Sequence, residues 1–133
     1  MTWAMHDTEF ESVLALPGDR RYTYFIKRVA DWELEYSLAA DDGWTLAGDD
    51  DAHELLPVWP HERFAAACTT GNWAGYQPRS IEASDWMELW LPGLVRDHRL
   101  VAVFPTPASH GVVVRPDRLK DDLQAELSLY EDE

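Results

Sequence analysis

The densest run of potential ligands in this chain is Asp49-Asp50-Asp51-Ala52-His53-Glu54. Carboxylates at alternate positions plus an imidazole can reach one cation. The run lacks the mid-loop glycine of a twelve-residue calcium loop, and no acidic residue closes one. Adjacent acids between two apolar segments also make a solvated turn, so no metal site is expected. Cys68 and His61 are nucleophile and base by type. Seven positions apart on one helix, their Cα atoms would stand ~10 Å apart along its axis, too far for a direct hydrogen bond. Cys68 is therefore expected to be a small buried hydrophobe. His61, between Pro60 and Glu62, either lines a pocket beside Trp59 or starts a helix, bonding to backbone or water. His98 and His110 fall in turns, and His6 and His53 have no evident partner. The chain carries no glycine-rich phosphate loop and no G-x-S-x-G elbow. No catalytic residue and no cofactor are assigned.

The aromatic side chains are the more informative set: seven tryptophans and five tyrosines in 133 residues. Each can bury about 150–250 Å², so a few can carry much of a core. Trp44, Trp59, Trp73, Tyr76 and Phe104 fall at strand ends or in loops, whereas Trp32, Trp86 and Trp90 fall on inner faces. If Trp59, Trp73 and Tyr76 line an exposed groove rimmed by acids, that surface suits a basic peptide or protein. The candidate binding residues are Trp44, Trp59, His61, Trp73, Tyr76 and Phe104.

The elements that must position them follow from periodicity. Thr8 and Glu11 form a capping-box pattern, and Phe10, Val13 and Leu14 give one apolar helical face. Pro17-Gly18 breaks it. Asp19 is then placed to cap a second helix with Tyr22, Phe25, Ile26 and Val29 on its stripe. Trp32, Leu34, Tyr36 and Leu38 alternate with Glu33, Glu35 and Ser37, a half-buried strand. A turn at Asp41-Asp42-Gly43 leads to a hairpin partner bearing Trp44 and Leu46. Two short apolar runs, Leu55-Leu56-Pro57-Val58-Trp59-Pro60 and Leu100-Val101-Ala102-Val103-Phe104-Pro105, both close on Val-aromatic-Pro. Each has the form of a strand buried on both faces, stopped where proline has no N–H to donate. As neighbours they would bring two aromatic-proline corners to one sheet edge. Residues 62–68 read as a helix and 69–78 as a loop. Ser84 is placed to cap a helix with the stripe Trp86, Leu89 and Trp90, ended by Pro92-Gly93. A last strand spans 111–115, and Pro116 opens a helix with Leu119, Leu123, Leu127 and Tyr130 inward.

The expected fold class is α+β: a single two-layer domain over 1–133, with a mixed or antiparallel sheet of about five strands and helices packed mainly on one face. Its parts are N-terminal helices (7–31), three strands (32–58), helices and loop (61–94), two strands (100–115) and a C-terminal helix (116–130).

Twenty-five acidic against eleven basic residues give a net charge of −14. That field opposes nucleic acid and anionic membranes. It steers a cationic protein inward, and it also serves plain solubility. The single cysteine excludes an internal disulfide and fits a reducing compartment. With no apolar run near ~18 residues and no signal-peptide pattern over residues 1–10, a cytoplasmic protein is expected, as a monomer or weak homodimer.

Several segments in fixed order carry a resemblance: Tyr24-Phe25-Ile26-Lys27-Arg28-Val29-Ala30-Asp31-Trp32, Gly43-Trp44, Leu56-Pro57-Val58-Trp59-Pro60-His61, Trp90-Leu91-Pro92-Gly93-Leu94 and Val101-Ala102-Val103-Phe104-Pro105-Thr106-Pro107. Over roughly 10–130 the chain resembles the bacterial family known as domain of unknown function 2750. That family has no established activity or catalytic residues to carry over. A fainter similarity, through the Leu-Pro-Val-aromatic strand and Gly111-Val112-Val113-Val114-Arg115-Pro116, is to the enhanced-serine-sensitivity protein family of small α+β domains. Bacterial immunity proteins include acidic domains of similar style. The expected function is a non-catalytic protein-binding module of immunity or accessory type with a basic protein partner. The alternatives are a small-molecule sensor with an aromatic pocket, or a hydrolytic enzyme using Asp49–Glu54 or His61.

Overall fold

The computed structural model describes residues 4–40, 43–48 and 54–131. Helix α1 (Asp7–Leu14) starts from His6 with no side-chain cap. Thr8 and Glu9 lie inside its first turn, and the Glu9 carboxylate accepts from the Tyr24 hydroxyl at 2.6 Å. The expected capping box is thus replaced by a tie to the next helix. Helix α2 (Gly18–Trp32) follows Pro17 and buries Phe25, Ile26 and Val29, the spacing of one apolar face. It takes in Trp32, which the alternation had assigned to a strand. It ends on Glu33, whose left-handed φ of 57° lets its N–H return to Val29 O at 2.8 Å, the usual helix stop, though glycine is the easier residue there.

The strands form two sheets rather than one. In the first, β1 (Leu34–Ala40) lies between β2 (Gly43–Trp44) and β5 (Gln77–Glu82), antiparallel to both. In the second the order is β3 (Ala47–Gly48), β4 (Glu54–Val58), β6 (Leu100–Val103) and β7 (Val112–Val114). There β4 and β6 run parallel and the outer pairs antiparallel. Reciprocal 2.8 Å bonds between Tyr36 and Trp59 join the two sheets.

The two Val-aromatic-Pro runs are neighbours, with Val58 opposite Val103. Trp59 and Phe104 therefore leave the sheet at the same end. The Phe104 N–H continues the ladder to Val58 O at 2.8 Å.

Two further segments depart from expectation. Residues 77–82 form β5 instead of the end of a loop. Only Ile81 is buried among them, so no alternation marks the strand, and Pro78 is tolerable at an edge. The helical stretch from α4 (Ala83–Asp85) through a π turn (Trp86–Trp90) into α5 (Leu91–Arg96) passes Pro92 and Gly93 without ending. A wider turn just before Pro92 removes the need for the N–H that proline lacks.

Helix α3 (Glu62–Ala67) packs on β1 and β5. Helix α6 (Pro116–Glu131) buries Leu119 and Leu123 and packs on α2 and α5. The core centres on Trp59, Phe64, Phe104, Phe25 and Trp86.

Strand β1 is buried along Glu35–Ala39. It was expected to wet one face. Instead the Ser37 hydroxyl donates to Pro57 O at 2.6 Å, so β4 lies against the polar side. Glu35 is consequently fully buried, with neither carboxyl oxygen hydrogen-bonded. Desolvation raises its pKa well above the usual carboxylate range. Among the described residues no helix is long and apolar enough to cross a membrane.

Candidate functional site

The six candidate binding residues separate into a core corner and one open cleft. In the corner, Trp59 and Phe104 are fully buried. The Trp59 indole N–H donates to Pro105 O at 2.7 Å. Phe104 holds a left-handed φ of 60°, costly for an aromatic residue. Its carbonyl accepts from Arg21 Nε at 3.3 Å.

Arg21 is itself buried, and it also donates to Leu16 O (2.6 Å) and Ser109 Oγ (2.9 Å). Burial lowers its pKa. Arg21 was not singled out from sequence because nothing in its neighbourhood marks a cation two of whose three partners lie 83 and 88 positions away. Gly111 closes the corner from behind: at φ +82° a Cβ there would stand 2.7 Å from Val103 O.

Trp73 is half-buried, edge-on to Trp59 at 5.9 Å between ring centres. Tyr76 is half-buried against the same core. Trp59 is wholly interior, so the three do not together line an exposed groove; Trp73 and Tyr76 each keep part of their surface exposed. His61 is buried and caps α3, its Nδ1 accepting from the Arg63 N–H at 3.0 Å. It is the helix-start histidine.

Cys68 lies at the other end of α3. Its thiol donates to Pro105 O at 3.5 Å, and burial pushes its pKa up to about 11. At neutral pH it stays a thiol, a weak nucleophile. The run Asp49–His53 lies outside the described residues. Among those described, no group of three or more His, Cys, Asp or Glu is arranged to hold a metal ion.

Trp44 lines an open cleft. With Leu46, Leu56, Leu89, Trp90 and Leu94 it lines a cleft of about 360 Å³ between β2, β4 and the Trp86–Arg96 stretch. Trp44 and Trp90 meet edge to face at 4.8 Å, a favoured aromatic geometry. The Arg79 guanidinium lies 5.5 Å from the centre of the Trp44 ring.

The π turn builds this wall. In a regular α-helix Trp86, Leu89 and Trp90 would share one face. The extra residue in the turn breaks that stripe. Trp86 goes into the core, Trp90 is half-buried, and Leu89 stands 67% exposed. Leu46 on the opposite wall is 36% exposed. At the mouth, Arg99 lies 3.7 Å from both Glu54 and Asp97, so its charge is already answered. The lining is thus apolar and aromatic with one engaged ion cluster. It can hold an apolar or aromatic group, and the described residues that line it include no arranged nucleophile or base.

Fold and cleft define a small α+β protein of two joined sheets with an open hydrophobic cleft. The profile of the family described as protein of unknown function DUF2750 matches residues 22–123. The chain belongs to that family. No curated protein matches the sequence.

Proposed function

We propose that this chain is a non-catalytic protein-binding module of the cytoplasm, and that its contact surface is the Trp44–Trp90 cleft. The observation that carries this reading is the apolar rim. Leu89 and Leu46 line the cleft and remain 67% and 36% exposed, apolar surface at its edge that a protein surface would cover. Paired tryptophans with an arginine at the edge are the composition of interface hot spots. An acidic surface of net charge −14 favours encounter with a basic partner.

The test is a peptide-display selection on the intact chain, followed by titration calorimetry of the selected peptides. Leu89→Asp and Leu46→Asp are expected to weaken binding by about tenfold or more each, the scale of an interface anchor. Val113→Asp, at an exposed site in β7, is expected to leave it unchanged. Equal affinities across the three variants would remove the cleft from the contact.

One feature favours a second reading, a sensor of a small aromatic molecule. A volume of about 360 Å³ falls at the low end of the ~300–1,000 Å³ typical of ligand sites. A compound that raises Tm in a thermal-shift screen of the wild type, and not of Trp44→Ala, would support it.

A further inference from the structure

A second concavity lies away from the tryptophan cleft. A groove of about 540 Å³ runs between α6 and the Ala83–Glu88 turn, with Met87 and Leu127 in its lining and Glu33, Glu88 and Lys120 as its charged groups. A neighbouring hollow of about 330 Å³ shares Glu33 and Ser84 with it and adds Trp32 and Glu82. The two hollows adjoin at these shared residues, and together they make a trough lined by an indole, three carboxylates and apolar side chains.

We propose that this trough docks an extended basic segment of a partner protein, its Lys or Arg side chains against Glu33, Glu82 and Glu88 and an apolar neighbour on Met87 and Leu127. The warrant is charge complementarity. All three carboxylates are exposed, and none is in an ion pair among the described residues. Lys120 is the one cation in the lining and is likewise outside any such pair. Three anions against one cation leave the trough negative without internal compensation, unlike the cleft mouth, where Arg99 sits between two acids.

Trp32, 37% exposed in the smaller hollow, adds an aromatic surface of the kind that attracts guanidinium and ammonium groups. Among the described residues the three carboxylates form no metal-holding cluster; Glu82 lines one hollow, Glu88 the other and Glu33 both, a distribution along the lining that several cations of one chain can meet. Phosphate backbones and anionic lipid meet repulsion here. Glu33 lines both hollows, and it does so from a left-handed backbone position that glycine would occupy at lower cost.

A −14 protein attracts any polycation, so the experiment must separate the trough from the overall field. The probe is a fluorescein-labelled peptide of alternating arginine and leucine, titrated at about 0.15 M salt to screen long-range attraction. The triple variant Glu33→Gln, Glu82→Gln, Glu88→Gln is compared with the control Glu11→Gln, Asp19→Asn, Glu62→Gln, which removes the same number of exposed charges elsewhere. Loss of several exposed pairs predicts about tenfold weaker binding for the first and less than about twofold for the second. Amide shifts of wild type are expected to centre on the Trp32 indole and on α6 residues 120–128.

Equal weakening in the two triples would overturn the proposal. So would the absence of binding to wild type, or shifts centred on Trp44 and Trp90. Leu89→Asp is expected to bind the peptide as wild type does, so failure of the cleft reading and failure of this one give different results.

Discussion

Glu35 is the residue most at odds with its surroundings. A fully buried carboxyl with neither oxygen hydrogen-bonded is tolerable only in its neutral form, because desolvating the anion costs far more than desolvating the acid. Its pKa is raised by that burial, and the sign of the pH effect follows. In the unfolded chain the group ionises near the ordinary glutamate value of ~4.3. In the fold it keeps its proton to higher pH. Between those two points the native state binds more protons, so stability falls as pH rises and levels off only once the folded carboxyl ionises. Urea denaturation of wild type and Glu35→Gln at pH 5 and pH 8 isolates this contribution from the histidines. Wild type is expected to lose stability relative to the variant on going to pH 8. Glu35→Met is expected to be more stable than wild type at pH 8 by about 1–3 kcal/mol, the cost of an unsatisfied buried polar group. A wild-type-minus-variant difference that is flat across the two pH values would mean that the carboxyl is not held neutral.

At the level of elements, what could be read in advance is what local pattern decides. The stripe Phe25, Ile26, Val29 fixes α2, and two apolar runs of equal length ending in the same corner fix β4 and β6 as neighbours. Strand β5 was invisible because its identity comes from β1, a partner some forty positions away, and one buried residue carries no period. The candidate site was half legible for a related reason. Trp44 stood out at the end of a hairpin. Leu89 and Trp90, however, were assigned inward by α-helical spacing, and the π turn that redirects them has no residue signature beyond a nearby Pro92. Two glycines test how tightly these elements are specified. Gly111→Ala drives a Cβ to 2.7 Å from Val103 O at a positive φ and is expected to cost about 2–4 kcal/mol, strain and overpacking together. Gly93→Ala, in α5 with its nearest neighbour the flexible Arg96 tip at 3.5 Å, is expected to stabilise by about 0.5–1 kcal/mol through helix propensity. Denaturant midpoints of the two variants check both signs, and a neutral Gly111→Ala would mean that the Phe104 corner yields easily.

For the whole molecule the deciding quantity is charge. Fourteen uncompensated negative charges repel one another more in the compact state than in the expanded chain. Against this stand surface ion pairs such as Arg28–Glu9, Arg115–Asp117 and Arg118–Asp122, all solvent-accessible and worth roughly 0–1 kcal/mol each. Salt screens both, but the repulsion is summed over the whole surface while each exposed pair is small. Raising salt from about 0.02 M to about 0.5 M shortens the Debye length from tens of ångströms to a few, and Tm of the free protein is expected to rise. A basic partner relieves the same repulsion by binding, and a ligand of the native state also raises Tm. That second increment must shrink as salt rises, because screening weakens the attraction that creates it. The two effects of salt thus have opposite signs, and differential scanning calorimetry with and without the arginine–leucine peptide separates them. If Tm of the free chain falls with salt, the exposed pairs outweigh the net charge, and the acidic surface is then better understood as a network of local attractions than as a field awaiting a cation.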